Sequence, residues 1–120
     1  MTRRMEQVAD LLQSEIADLL RREVKHPALT ETMLSITRVE VSPDLGSARV
    51  RVSVMGTPEQ ESAALAALER TEPFLHRELV KRLHLRRVPR LRFFADHSIA
   101  EADRITGLMR QVARDEGREL

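Results

Sequence analysis

The sequence predicts an α+β domain, a small three-stranded mixed sheet with helices packed on one face, in the order α-β-β-α-α-β-α. Three observations lead there. An apolar stripe at three- and four-residue spacing opens the chain, two alternating segments follow around a turn, and further helical periodicity separates them from a lone third strand. Reaching the third strand from the second through helices demands a crossover, which sets the helices on one face of the sheet.

Each element has its own signal. From Arg3 to Val24, Met5, Val8, Leu12, Ile16 and Leu19 share one helical face, and Pro27 stops the helix. Leu34 to Val41 reads as a strand whose alternation slips phase, Leu34 and Ile36 on one parity and Val39 and Val41 on the other, so a β-bulge is expected near Thr37 or Arg38. Ser42-Pro43-Asp44-Leu45-Gly46 carries turn chemistry. Ala48, Val50, Val52 and Val54 then alternate with Arg49, Arg51 and Ser53, which makes a hairpin with one wet face. Thr57-Pro58-Glu59-Gln60 is a capping-box start with proline at the first helical position, opening a helix through an alanine-rich run. Pro73 predicts a kink or break, so two helices are expected, the second with Leu75, Leu79 and Leu83 as its buried ridge and Arg77 and Lys81 near the opposite side. Leu91, Phe93 and Ala95 make the third strand, opened by Pro89. Ser98-Ile99-Ala100-Glu101 is another capping box, starting a last helix with Ala102, Ile105, Met109 and Val112 inward, and residues from about 115 to 120 are expected to fray.

Composition narrows the class. At 120 residues, with no linker, repeat or low-complexity segment, residues 1–120 are expected to form one domain. The absence of cysteine removes disulfides, thiolate metal sites and thiol nucleophiles together, and fits a cytoplasmic protein. No apolar run approaches the roughly 20 residues that span a bilayer, and the opening MTRRMEQVADLL lacks a signal-peptide core, so a soluble chain is expected. Phe74, Phe93 and Phe94 are the only aromatic residues, which argues against a nucleic-acid reader built on base stacking.

Charge is sorted along the chain. Between Pro73 and Ala95, Arg77, Lys81, Arg82, Arg86, Arg87, Arg90 and Arg92 surround a single acid, Glu78, for +6, while the whole chain carries +1. A basic surface on ordered backbone is the footprint of a polyanion partner. Arg77, Lys81, Arg82, Arg86, Arg87 and Arg90 are therefore the first candidates for phosphate contact, with Arg21, Arg22 and Lys25 at the end of the first helix as an extension. The plainer reading is a solvated face with cations favourably placed at helix C-termini, and Glu78 with Arg82 as an ordinary i,i+4 pair. Against it, Arg77 and Lys81 are like charges four residues apart, which costs roughly 0.2–0.5 kcal/mol. For Arg49 and Arg51 a solvated strand face is the better expectation.

Three segments carry a family resemblance: RREVKHPAL, VEVSPDLGSARVRVSV and FLHRELVKRLHLRRVPRLRFFADHSI, the last combining L-R-x-x-P-x-L-x-F with D-x-S-I. Over nearly its whole length the chain resembles the ribosome-binding factor A family, bacterial assembly factors of the small ribosomal subunit. The resemblance implies a type-II KH-like fold, a small (30S) subunit and 16S rRNA as partners, and a role in late rRNA maturation that includes cold adaptation. A monomer with no cofactor is expected, and further assembly factors, such as a GTPase, stay open as partners. KH domains usually clamp backbone phosphates with a GxxG loop, which neither the family nor Gly46, Gly56, Gly107 and Gly117 supply. The family tends to place Ala-x-Gly at the interhelical kink, where this chain has Thr71-Glu72-Pro73.

Catalysis is not expected. Asp96-His97-Ser98 contains the residue types of a hydrolytic triad, yet triads are assembled in space and Ser98 reads as a helix cap. His26, His76 and His84 fit no metal spacing, and no glycine loop cradles phosphate. Two other classes compete with the binding reading: a protein-interaction module without an RNA role, whose binding would depend weakly on salt, and a small hydrolase using His97.

Overall fold

The computed structural model describes residues 2–98 together with 105 and 107–109. The first helix, α1 (Arg3–Arg22), starts at Thr2, whose hydroxyl accepts the Met5 N–H, and buries Val8, Ala9, Leu12, Ile16 and Leu19. That is the stripe the spacing predicts. Pro27 does more than end it. The turn after α1 leads into a single helical turn, α2 (Pro27–Thr30), with proline at its first position and the His26 Nδ1 accepting the Ala28 N–H. Proline's missing donor costs nothing there, so the residue expected to stop one helix opens another.

Strands β1 (Met33–Val41) and β2 (Ser47–Met55) pair antiparallel, with a register shift between Ile36 and Arg38 at the expected bulge. The shift returns Val39 and Val41 to the side that Leu34 and Ile36 occupy before it. Thr37, the extra residue, donates its hydroxyl to Asp96 at 2.6 Å. Gly56 then takes φ +153°, where a Cβ would run into the Gln60 side chain. That Gln60 amide oxygen accepts the Thr57 N–H at 2.7 Å while the Thr57 hydroxyl accepts the Gln60 N–H at 3.1 Å, the capping box read from the sequence.

The next helix corrects the expected break. Helix α3 (Pro58–Arg82) runs unbroken for 25 residues with Pro73 inside it. Proline deletes only the bond to the Glu69 carbonyl, at a cost near 3 kcal/mol, and tertiary contacts on either side offset it. Leu68, Leu75 and Leu79 are fully buried, and Glu72 is held from a distant strand. Strand β3 (Arg90–Ala95) pairs parallel to β2, giving the sheet order β1-β2-β3 with α3 as the crossover. This α+β, KH-like layout places the core between the sheet's inner face and α1 and α3, joining Leu12, Ile16 and Leu75 to Val50, Val52 and Phe93.

Two positions expected to face inward near the C-terminus do not. Ile105 and Met109, expected inward, are 53% and 57% exposed, because α1 and α3 already fill the sheet's inner face. Ser98 is itself helical, and its N–H is taken by the Asp96 carboxylate two residues earlier. Ile99, Ala100, Glu101, Ala102, Val112 and the tail from 115 to 120 lie outside the described residues. Among the described residues, no helix is long and apolar enough to cross a membrane.

Candidate nucleic-acid interface

Two helices, a loop and a strand position the basic residues. Arg77 and Lys81 stand on the exposed side of the last turns of α3, opposite the buried Leu75 and Leu79. The loop that follows is fixed at three points: Leu83 is buried as the C-cap, the His76 ring nitrogen bonds the Val88 carbonyl at 3.0 Å, and Pro89 is fully buried. Arg86 and Arg87 project from this anchored loop and are exposed.

Arg87 reaches the β1–β2 turn. A Cβ on Gly46 would lie 2.9 Å from its guanidinium, so the glycine leaves the space that the arginine fills. In the same turn the Ser42 hydroxyl and the Gly46 N–H hydrogen-bond Asp44, and with the nearby Arg87 charge they hold its carboxyl below the usual range. The Arg90 N–H donates to the Gly46 carbonyl at 3.0 Å, tying the turn to the start of β3.

Two candidate arginines have internal partners. Arg82 donates to Asp18 at 3.0 Å and Glu15 at 3.4 Å and lies 3.8 Å from Glu23, so it joins the C-terminal ends of α3 and α1. The hydrogen bond from Arg82 holds the Asp18 carboxyl low, and the same bond raises the guanidinium's own pKa. The i,i+4 pair with Glu78 that the spacing allows is not made. Arg90 makes a two-pronged pair with Glu72, whose carboxylate also accepts the buried Leu91 N–H at 2.8 Å. Glu72, 7% exposed, thereby closes one outward-facing donor of the edge strand.

The remaining candidates differ in availability. Arg21 and Arg22 are three-quarters exposed and lean on Asp18, Arg22 at 2.9 Å. Lys25, Arg77, Lys81, Arg86 and Arg87 are exposed and have no carboxylate within ion-pair distance among the described residues.

The outer face of the sheet gathers further arginines. Arg38 and Glu40 on β1, Arg49 and Arg51 on β2, and Arg90, Arg92 and Phe94 on β3 share the side away from the helices. Glu40 pairs with Arg51 at 3.1 Å and lies 3.9 Å from Arg38. Arg49 and Arg92 face each other across the parallel pair without a carboxylate partner among the described residues, and the Arg49 guanidinium lies 5.9 Å from the centre of the Phe94 ring. The signal was the two-residue alternation Leu91, Arg92, Phe93, Phe94 against Val50, Arg51, Val52, which separates inner from outer side chains.

No catalytic relay forms at Asp96-His97-Ser98. Asp96 is occupied by the Thr37 hydroxyl and the Ser98 N–H, which with the smaller influence of Arg51 lower its pKa to about 2. His97 instead meets Glu61 at 2.7 Å. Between α1, α2 and β1 lies an apolar cleft of about 760 Å³, and Arg21 is the one ionisable group among the residues lining it. No group of three metal-ligating side chains occurs among the described residues.

Comparison with known proteins adds to this geometry. The family model for ribosome-binding factor A matches residues 4–109. Ribosome-binding factor A of Thermomicrobium roseum is 39% identical over 116 residues, covering 97% of this chain and 88% of its own. That of Syntrophobacter fumaroxidans is 40% identical over 116 residues, covering 95% and 97%. The crystal structure of ribosome-binding factor A from Thermus thermophilus superposes with a TM-score of 0.68 at 28% identity, over 78% of this chain and 97% of that one. A homology model of the Thermus thermophilus factor, fitted into the cryo-EM map of a 30S–RbfA complex, superposes at 0.57 with 27% identity, over 82% and 97%.

Proposed function

The chain belongs to the ribosome-binding factor A family, and on that premise we propose that it binds the immature small (30S) ribosomal subunit as an assembly factor. It acts in the cytoplasm as a monomeric, single KH-like RNA-binding domain that promotes late maturation of 16S rRNA, in the cold as well. The family match over residues 4–109 carries the reading. The complex described for the Thermus thermophilus factor supports the choice of partner.

The mode of action is binding rather than bond chemistry. A protein that prefers one arrangement of an RNA shifts the population toward it by its differential affinity, and leaves when the mature arrangement no longer favours it. Arg77, Lys81, Arg86, Arg87 and Lys25 supply the phosphate contacts, with Arg21 and Arg22 at the margin. Arg82 and Arg90 hold the scaffold that carries them, since their guanidinium groups are already engaged with carboxylates.

Co-sedimentation with small subunits at two salt concentrations tests the reading, comparing the wild type with Arg86→Glu/Arg87→Glu. The variant is expected to fold, to pellet poorly at low salt and to vanish from the pellet at higher salt. Undiminished association at both concentrations would remove the site from the proposal. A protein-interaction module would show little salt dependence in the wild type, whereas each phosphate contact adds roughly −0.7 to −0.9 to the log-log slope.

A further inference from the structure

We propose that the outer face of the sheet is a second RNA contact, which takes a single-stranded segment and stacks one of its bases on Phe94. The inference rests on the RNA-binding reading above but uses a different surface. Five arginines, Arg38, Arg49, Arg51, Arg90 and Arg92, share this face with Glu40, and Asp96 follows Phe94 by two residues near Arg51. Arg38 opposes Arg51 in the antiparallel pair, and Arg49 opposes Arg92 in the parallel one. Like charges directly opposite each other destabilise a sheet, so the arrangement works against the fold. Glu40 lies within 4 Å of Arg38 and Arg51 and stands opposite Arg49 in the antiparallel pair, while neither Arg49 nor Arg92 makes an ion pair among the described residues. Local conflicts of this kind are expected where function has overridden stability.

The aromatic ring decides which polyanion fits. Phe94 is 39% exposed on this face, whereas its neighbour Phe93 is buried in the core. With the Arg49 guanidinium over it, the ring already accepts a flat cation on its exposed surface. A nucleobase is a flat partner of the same kind, and stacking on it tolerates any sequence because every base has a π-face. When a base replaces the guanidinium, Arg49 is released to the adjoining phosphate, and Arg92 meets the next. A duplex keeps its bases inside and cannot offer one. An acidic protein surface would satisfy the arginines but leaves the ring without a role.

An open groove of about 890 Å³ runs past Arg49, Arg90, Arg92 and Phe94, with Glu69 also among its lining residues. The Glu69 carboxylate repels phosphate, so the strand's backbone would follow the arginines. Glu72, which also lines the groove, is neutralised by Arg90.

Anisotropy of a short fluorescein-labelled oligouridylate and of a labelled RNA duplex, titrated with wild type, Phe94→Leu and Arg49→Gln/Arg92→Gln, tests the proposal. Phe94→Leu is expected to weaken the single strand roughly five-fold or more while leaving duplex binding unchanged. Arg49→Gln/Arg92→Gln should lower the single-strand salt slope by about 1.4. Thermal midpoints matching the wild type exclude misfolding, and the double arginine variant leaves the ring in place should the leucine variant fail that control. Single-strand affinity indifferent to Phe94, or a duplex bound as tightly as the single strand, overturns the inference. If Arg86→Glu/Arg87→Glu meanwhile abolishes co-sedimentation, the proposed function stands without this surface. Conversely, a wild type that never pellets with small subunits but binds oligouridylate through Phe94 loses the function and keeps the contact.

Discussion

The C-terminal ends of α1 and α3 and the outer face of the sheet are both rich in arginine, yet the two regions surround it differently. Arg82 sits among Glu15, Asp18 and Glu23, and the resulting network joins two helices. Arg49 and Arg92 face one another without an ion pair among the described residues, and the Arg49 guanidinium lies 5.9 Å from the centre of an aromatic ring. A count of charge along the sequence treats these residues alike. Their availability to a partner depends on carboxylates that lie 64 and 67 residues away from Arg82 in the chain, and 18 away from Arg90. Arg82 and Arg90 are paired with carboxylates, whereas Arg49 and Arg92 have none within ion-pair distance among the described residues.

The comparison breaks most visibly at Glu72. Replacing it with alanine leaves the buried Leu91 N–H without an acceptor and frees Arg90, a loss of roughly 1–3 kcal/mol by denaturant unfolding. Glu72→Gln keeps an acceptor and should cost less. An unchanged midpoint for Glu72→Ala would mean that the edge of β3 is not closed by this carboxylate. A gain of similar size is expected for Pro73→Ala, roughly 2 kcal/mol, because an uninterrupted α3 recovers the bond to the Glu69 carbonyl. Destabilisation instead would show that the helix needs the proline.

Smaller effects sharpen the contrast. Arg82→Gln should lower the thermal midpoint and speed amide exchange at the facing ends of α1 and α3, while Arg92→Gln stays within about 0.5 kcal/mol of the wild type. Equal losses would erase the difference between the regions. The smallest effect lies in acid. Asp96 titrates near 2 in the fold against an ordinary 3.8, so its contribution is complete above 3.8 and fades as pH falls toward 2. Thr37→Val removes the leading cause of that shift, so the Asp96 titration followed by NMR should move up toward 3.8 and part of the acid-range stability should disappear. An unmoved titration would assign the shift to the Ser98 N–H instead.

Much of this fold was legible from local chemistry. The α1 stripe, the bulge implied by Leu34 and Ile36 against Val39 and Val41, and the Thr57–Gln60 capping box each depend on residues a few positions apart. What escaped was long-range. Pro73 reads as a breaker until Glu72 is seen bonded to Leu91, and Arg82 reads as a surface cation until α1 lies beside it. Pro27 fits either end of a helix, and His26 as a cap decides which. For the site, sequence reasoning found Arg77, Lys81, Arg86 and Arg87 as exposed cations but could not separate them from Arg82 and Arg90. It read Arg49 as part of a solvated strand face and could not show that its guanidinium lies 5.9 Å from the centre of the Phe94 ring, because that neighbour sits on another strand.

The central claim, that unpaired cations contact RNA while paired ones hold the scaffold, is tested most directly by the salt dependence of small-subunit affinity. Arg86→Gln/Arg87→Gln is measured beside Arg90→Gln, whose guanidinium is already held by Glu72. The account predicts a log-log slope shallower by about 1.4–1.8 for the first and unchanged for the second. A slope altered as much per arginine by Arg90→Gln, or left intact by Arg86→Gln/Arg87→Gln, would contradict it.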